Sequence, residues 1–82
     1  MRPSPFTRKG VYELLQDFGI TAPNASFGRG QMVRYLRCVG YSHWDGASVY
    51  AFENVQTGER QEYWWFDDDP PELVSARLRL LS

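Results

Sequence analysis

The stretch that decides the fold is Arg60-Gln61-Glu62-Tyr63-Trp64-Trp65-Phe66-Asp67-Asp68-Asp69-Pro70-Pro71. Its first half ends in four consecutive aromatic residues, a residue type that is enriched in strands. Its second half is three aspartates and two prolines, and proline cannot continue a sheet ladder. The stretch therefore predicts a strand over Arg60–Phe66 that ends abruptly, followed by a turn and a helix.

The residues after this strand predict a short C-terminal helix. Asp69 can cap it, with Pro70 at the first helical position and Glu72 three residues after the cap. Positions 73, 76/77 and 80/81 recur at helical spacing. We expect a helix of about 10 residues, which must lean on the sheet to persist.

Two further strands are predicted before Arg60, over Gln31–Tyr41 and Ala47–Val55. Asp45-Gly46 is a strong hairpin-turn dipeptide between them. All three strands carry large apolar groups on both faces, so the sheet either curls into a small barrel or is covered by helices on its second face.

The N-terminal part predicts a helix. Residues 1–6 contain two prolines and are expected to be a flexible, extended lead-in. From Arg8 to Phe18 the apolar residues have the spacing of an amphipathic helix, with Thr7 as N-cap. The loop that follows has Phe27 as its inward anchor. The expected fold class is α+β: an N-terminal helix, a strongly bent antiparallel sheet and a short C-terminal helix.

The composition indicates one small globular domain over residues 1–82. The chain is 43% hydrophobic and 16% aromatic, which excludes a disordered protein. Its net charge of −1 gives no overall attraction to nucleic acid or to an anionic membrane. A single cysteine, Cys38, fits a reducing compartment, and no apolar run approaches a membrane span. We expect a soluble, cytoplasmic protein.

From Phe27 to Pro71 the chain resembles small bacterial SH3-like β-barrel domains. The resemblance rests on the order of strands and turns and on the entry Gly30-Gln31-Met32-Val33-Arg34-Tyr35, which has the pattern Gly-x-x-Val-x-Tyr. Such barrels usually have five strands, and a shorter strand in 20–27 would add to the three above. The resemblance implies a binding module and carries no functional residue with it.

Enzymatic and metal chemistry are both disfavoured by the sequence. His43 is the only histidine and has no second histidine or cysteine to complete a zinc site. No Gly-x-Ser-x-Gly elbow accompanies it. The run Asp67–Asp69 lacks the alternate spacing of a calcium loop, and carboxylates at a helix start are favourable without any ion. We expect no enzyme activity, catalytic residue, metal site or cofactor.

Exposed aromatic and acidic residues favour a protein-binding role. Tyr and Trp are enriched at interface hot spots. The alternative for Trp44 is that it folds back over the barrel mouth. We expect a small interaction module, of the size common among bacterial or phage immunity proteins, antitoxins and inhibitors, whose oligomeric state stays open. The predicted partner-binding residues are Tyr41, His43, Trp44, Asp67 and Asp68.

The second hypothesis is nucleic-acid binding. Arg29, Arg34 and Arg37 are interleaved with aromatic residues, as in single-strand binding grooves. In a regular strand, however, Arg34 and Arg37 point to opposite faces, and the net negative charge is unfavourable. Protein binding is therefore the preferred hypothesis.

Overall fold

The structure, a computed structural model, describes residues 4–17 and 27–81. In these residues one antiparallel sheet has the strand order β4-β3-β2-β1-β5. The radius of gyration, 11.7 Å, is that of a compact chain of this length, about 12 Å. The elements are β1 (Val11–Leu14), β2 (Met32–Ser42), β3 (Ala47–Asn54), β4 (Arg60–Phe66), α1 (Pro71–Arg77) and β5 (Leu78–Leu80).

The three central strands are confirmed close to their predicted bounds. In β4, Tyr63 and Trp65 are buried, whereas Trp64 and Phe66 are half-buried on the opposite face. In β3, alternate side chains are buried on one face of the strand: Ser48, Tyr50, Phe52 and Asn54. The other face of β3, which we call the outer face, carries Ala47, Val49, Ala51 and Glu53.

The predicted N-terminal helix and the α+β fold class are wrong. Residues 11–14 form β1, which pairs with β2 on one side and with β5 on the other. The segment is too short for its apolar spacing to distinguish a helix from a strand, and Tyr12 and Leu14 are buried at alternate positions. The protein is mainly an antiparallel sheet. The end of the predicted helix, at Phe18, and most of the suggested strand in 20–27 lie outside the described residues.

The C-terminal helix is shorter than predicted. It begins one residue later, with Pro70 as an N-cap that makes no side-chain hydrogen bond, and it ends at Arg77. The chain then extends into β5, because Leu78 fills the core beside Leu14 and Arg79 pairs with Glu13 across the strands. Within the described ranges, no helix has the length and apolar character that crossing a membrane requires.

Phe6 lies in the middle of an aromatic core, although the sequence places it in the lead-in. Its ring is 7% exposed, and the nearest ring centroid, that of Phe52, is 4.9 Å away. Edge-to-face packing of this kind is favourable beyond the apolar area it buries. Phe27 is buried in the same cluster, as predicted. The rings within 6 Å of Phe6 are those of Tyr12, Tyr35, Tyr50, Phe52 and Tyr63.

Two irregularities interrupt the pairing of β2 with β3. The register skips one residue of β2 between Tyr35 and Arg37, and again between Cys38 and Gly40. Each extra residue reverses the face that the following side chains occupy. Val39 is the extra residue at the second irregularity, and it is exposed.

Candidate functional site

The two segments predicted to bind a partner meet at one end of the sheet. The turn of residues 43–46 joins β2 to β3, and β4 ends next to the start of β3, where Phe66 pairs with Ala47. The backbone N–H of Asp67 donates to the carbonyl oxygen of Gly46 at 2.8 Å. We call this surface, made of residues 41–46 and 66–69, the Trp44 end.

The turn at the Trp44 end is held in one conformation by hydrogen bonds. The N–H of Gly46 donates to the carbonyl oxygen of Ser42 at 2.8 Å. The Ser42 hydroxyl donates to Asp45 Oδ2 at 2.6 Å and accepts from the Asp45 N–H at 3.3 Å. Gly46 has φ 65°, which a residue with a side chain rarely adopts. The turn is thus a fixed support for Trp44.

Trp44 is 99% exposed. The alternative in which its ring folds back over the barrel mouth is therefore wrong. An indole ring has a large apolar area, and removing such a side chain from water gains about 1.5–3 kcal/mol of free energy. The turn therefore holds in water a ring that adds no buried apolar area to the described fold.

Tyr41, His43 and Asp67 form a small cluster beside Trp44. The Tyr41 hydroxyl donates a hydrogen bond to Asp67 Oδ2, and the rings of Tyr41 and His43 meet edge to face at 4.9 Å. The hydrogen bond to Asp67 raises the pKa of Tyr41, assisted by desolvation and by the negative charge of Asp67. The phenol is therefore a neutral donor that orients the carboxylate.

The acidic residues of the Trp44 end have different roles. Asp69 accepts a hydrogen bond from the Phe66 N–H at 3.2 Å, so it closes the turn after β4. The N-cap of α1, predicted to be Asp69, is Pro70. Asp67 binds Tyr41, as described above. Asp68 is exposed and makes no hydrogen bond or ion pair to another described residue.

The hydrogen bond between Tyr41 and Asp67 can be tested by titration. We expect Asp67→Asn to lower the pKa of Tyr41 toward its ordinary value, because the variant removes the negative charge and weakens the acceptor. Absorbance of the ionised phenol, with Tyr41→Phe subtracted to isolate this residue, measures the change. Asp68→Asn is the matched control and should leave the curve unchanged. Identical curves for Asp67→Asn and the unaltered protein would contradict the interaction.

The three arginines of the second hypothesis do not lie together. The backbone N–H of Arg29 donates to Asp17 Oδ1 at 3.0 Å in the segment before β2. Arg34 pairs with Glu53 and Arg37 with Ala51, so both arginines lie on the outer face. The irregularity at Leu36 thus reverses the expectation that Arg34 and Arg37 point to opposite faces.

Two groups of surface residues were missed in the sequence. Arg8 and Lys9 were assigned to a helix, but they occupy a turn near Arg34 and Arg37. Gly10 directly after two cations is a turn signal that could have revealed this. Trp64 was assigned to the strand packing alone, yet it borders a depression of about 300 Å³ beside the Trp44 end.

Comparison of the chain with protein-family models, with curated proteins and with solved structures found no match.

Proposed function

We propose that this protein is a non-enzymatic module that binds another protein through the Trp44 end. The observation that carries the proposal is a tryptophan 99% exposed on a turn that hydrogen bonds hold fixed. Tryptophan is among the residues most enriched at binding hot spots. A backbone turn that is already fixed loses little conformational entropy on binding, which favours affinity.

The charges at the Trp44 end specify the kind of partner. Asp45, Asp67 and Asp68 all lie at this surface and are exposed, and residues 41–46 and 66–69 contain no lysine or arginine. An acidic rim accelerates encounter with a basic surface and sets the orientation of docking. The expected partner therefore has an apolar pocket for an indole ring, bordered by lysine or arginine.

A depression on the outer face extends this surface. It has a volume of about 300 Å³, and Tyr41, Val49 and Trp64 are among its lining residues. The rings of Trp64 and Phe66 lie 6.3 Å apart on this face and are only half-buried. A partner of complementary shape would contact both the projecting Trp44 ring and this apolar depression.

The fold supports a binding module more than an enzyme. Five antiparallel strands are the number that the resemblance to SH3-like barrels implies, with the last strand returning to pair with the first. We therefore propose that the protein is a barrel of the SH3-like kind. Immunity proteins, antitoxins and inhibitors are the classes that fit a small protein with an acidic binding surface. We propose that this protein acts as one of them in the cytoplasm.

Affinity capture with two matched baits tests this function. The unaltered protein and Trp44→Ala are immobilised and exposed to extract of the source cell, and bound proteins are quantified by mass spectrometry. We expect at least one protein to be retained about tenfold or more on the unaltered bait relative to Trp44→Ala, because a hot-spot truncation costs 2 kcal/mol or more. Thr57→Ala, in the turn between β3 and β4, is the control and should retain the same protein. Equal retention on all three baits would refute the proposal.

A further inference from the structure

Four cationic side chains gather around Leu36, away from the Trp44 end. A depression of about 290 Å³ has Arg8 and Arg37 in its lining, and an adjoining one of about 530 Å³ has Lys9 and Arg34. Tyr35 and Leu36 line both depressions. The two depressions are therefore neighbours, and two cations line each of them.

Unusual backbone geometry brings these cations together. The skipped residue at Leu36 places Arg37 on the same outer face as Arg34. Lys9 has φ 60°, a left-handed conformation that a residue with a side chain adopts only when its surroundings enforce it. Such irregularities are over-represented beside functional sites, where they redirect a side chain.

The turn that carries Arg8 and Lys9 is fastened to the core. The Gly10 N–H donates to the Thr7 carbonyl oxygen at 2.8 Å, and the Tyr35 N–H donates to the Gly10 carbonyl oxygen at 3.0 Å. The Thr7 N–H donates to the Tyr12 hydroxyl at 2.7 Å. The position of the two cations next to β2 is consequently part of the fold.

These four cations are not neutralised by the described part of the protein. The ion pairs of Arg60 with Glu53 and of Arg79 with Glu13 involve none of the four. Glu53 lies opposite Arg34 in the sheet, but its carboxylate is engaged by Arg60 at 3.3 Å. Neither depression has a carboxylate in its lining. Glu62 lies near Arg37 in a neighbouring depression, but within the two depressions four cations face no carboxylate, which favours an anionic ligand.

We propose that this surface binds the phosphodiester backbone of a nucleic acid, independently of the protein-binding site. Two adjoining pairs of cations match a ligand whose anionic groups repeat, and the guanidinium groups of arginine suit phosphate geometry. The depressions offer no exposed aromatic ring for a base to stack on, so binding reads phosphates and not sequence. The acidic residues of the Trp44 end confine the nucleic acid to this face.

Fluorescence anisotropy with a labelled oligothymidine of about 15 nucleotides, and with a duplex of equal length, tests the proposal. Between roughly 50 and 200 mM salt, we expect the logarithm of the single-strand binding constant to fall with a slope of about −3, for four neutralised phosphates. The double variant Arg34→Gln/Arg37→Gln should weaken binding about tenfold or more and reduce the slope to about −1.4. The ratio of single-strand to duplex affinity identifies the preferred form of the same ligand.

The control variant Arg29→Gln/Arg79→Gln removes the same charge from exposed arginines that line neither depression. It should keep the affinity within about threefold, because neither arginine belongs to the surface of four cations and the ion pair of Arg79 is exposed. Circular dichroism verifies that both variants fold. Any one of three results would overturn the proposal. They are the absence of salt-dependent binding, an equal loss of affinity in both double variants, and equally tight binding of polyglutamate.

Discussion

Replacing Phe6 by alanine is expected to lower the free energy of unfolding by about 3–5 kcal/mol, the usual cost of truncating a buried phenylalanine. The ring is 7% exposed and contacts aromatic side chains from β1, β2, β3 and β4. The variant therefore leaves a cavity bordered by aromatic rings.

Urea denaturation gives the size of this effect. A domain of 82 residues has a total stability of only about 5–10 kcal/mol, so Phe6→Ala can be largely unfolded at room temperature. Phe6→Leu is then the informative variant, with a smaller expected loss of about 1–1.5 kcal/mol. Pro5→Ala, at the exposed neighbouring position, should change stability by less than about 0.5 kcal/mol. Equal unfolding curves for Phe6→Ala and Pro5→Ala would show that the N-terminal segment is not part of the core.

Trp44→Ala is expected to have the opposite profile, with unchanged stability and lost binding. Trp44 is 99% exposed and the turn beneath it is held by hydrogen bonds of Ser42, Asp45 and Gly46. The free energy of unfolding should change by less than about 0.5 kcal/mol. Trp65→Ala is the matched control: its ring is 4% exposed, and its loss should cost about 3–5 kcal/mol. A loss of stability in Trp44→Ala of that same size would show that the indole packs on the domain.

The central part of the fold was predictable from the sequence because its signals agree. Between Ala47 and Phe66, β-branched and aromatic residues occupy both faces and turn residues separate the runs. The prediction gave the bounds of β4 and those of β3 to within a residue. The meeting of the 41–46 turn with Asp67 follows from the same hairpin, since antiparallel pairing brings the end of β4 to the start of β3.

The ends of the sheet were not predictable because their segments are short. Four residues of β1 and three of β5 are stabilised by pairing with each other and with β2, which local spacing cannot reveal. The placement of Arg34 and Arg37 failed for another reason. It depends on one extra residue at Leu36, and such an irregularity leaves no clear mark in the alternation of side chains.

The measurement that tests the central claim most directly is the affinity of Trp44→Ala for the protein captured by the unaltered chain. Calorimetric titration should give a dissociation constant about 30-fold or more higher for Trp44→Ala than for the unaltered protein, which corresponds to a loss of about 2 kcal/mol. Asp68→Asn should weaken binding less, and mainly at low salt, because it removes an exposed charge at the edge of the surface. Equal dissociation constants for Trp44→Ala and the unaltered protein would contradict the account.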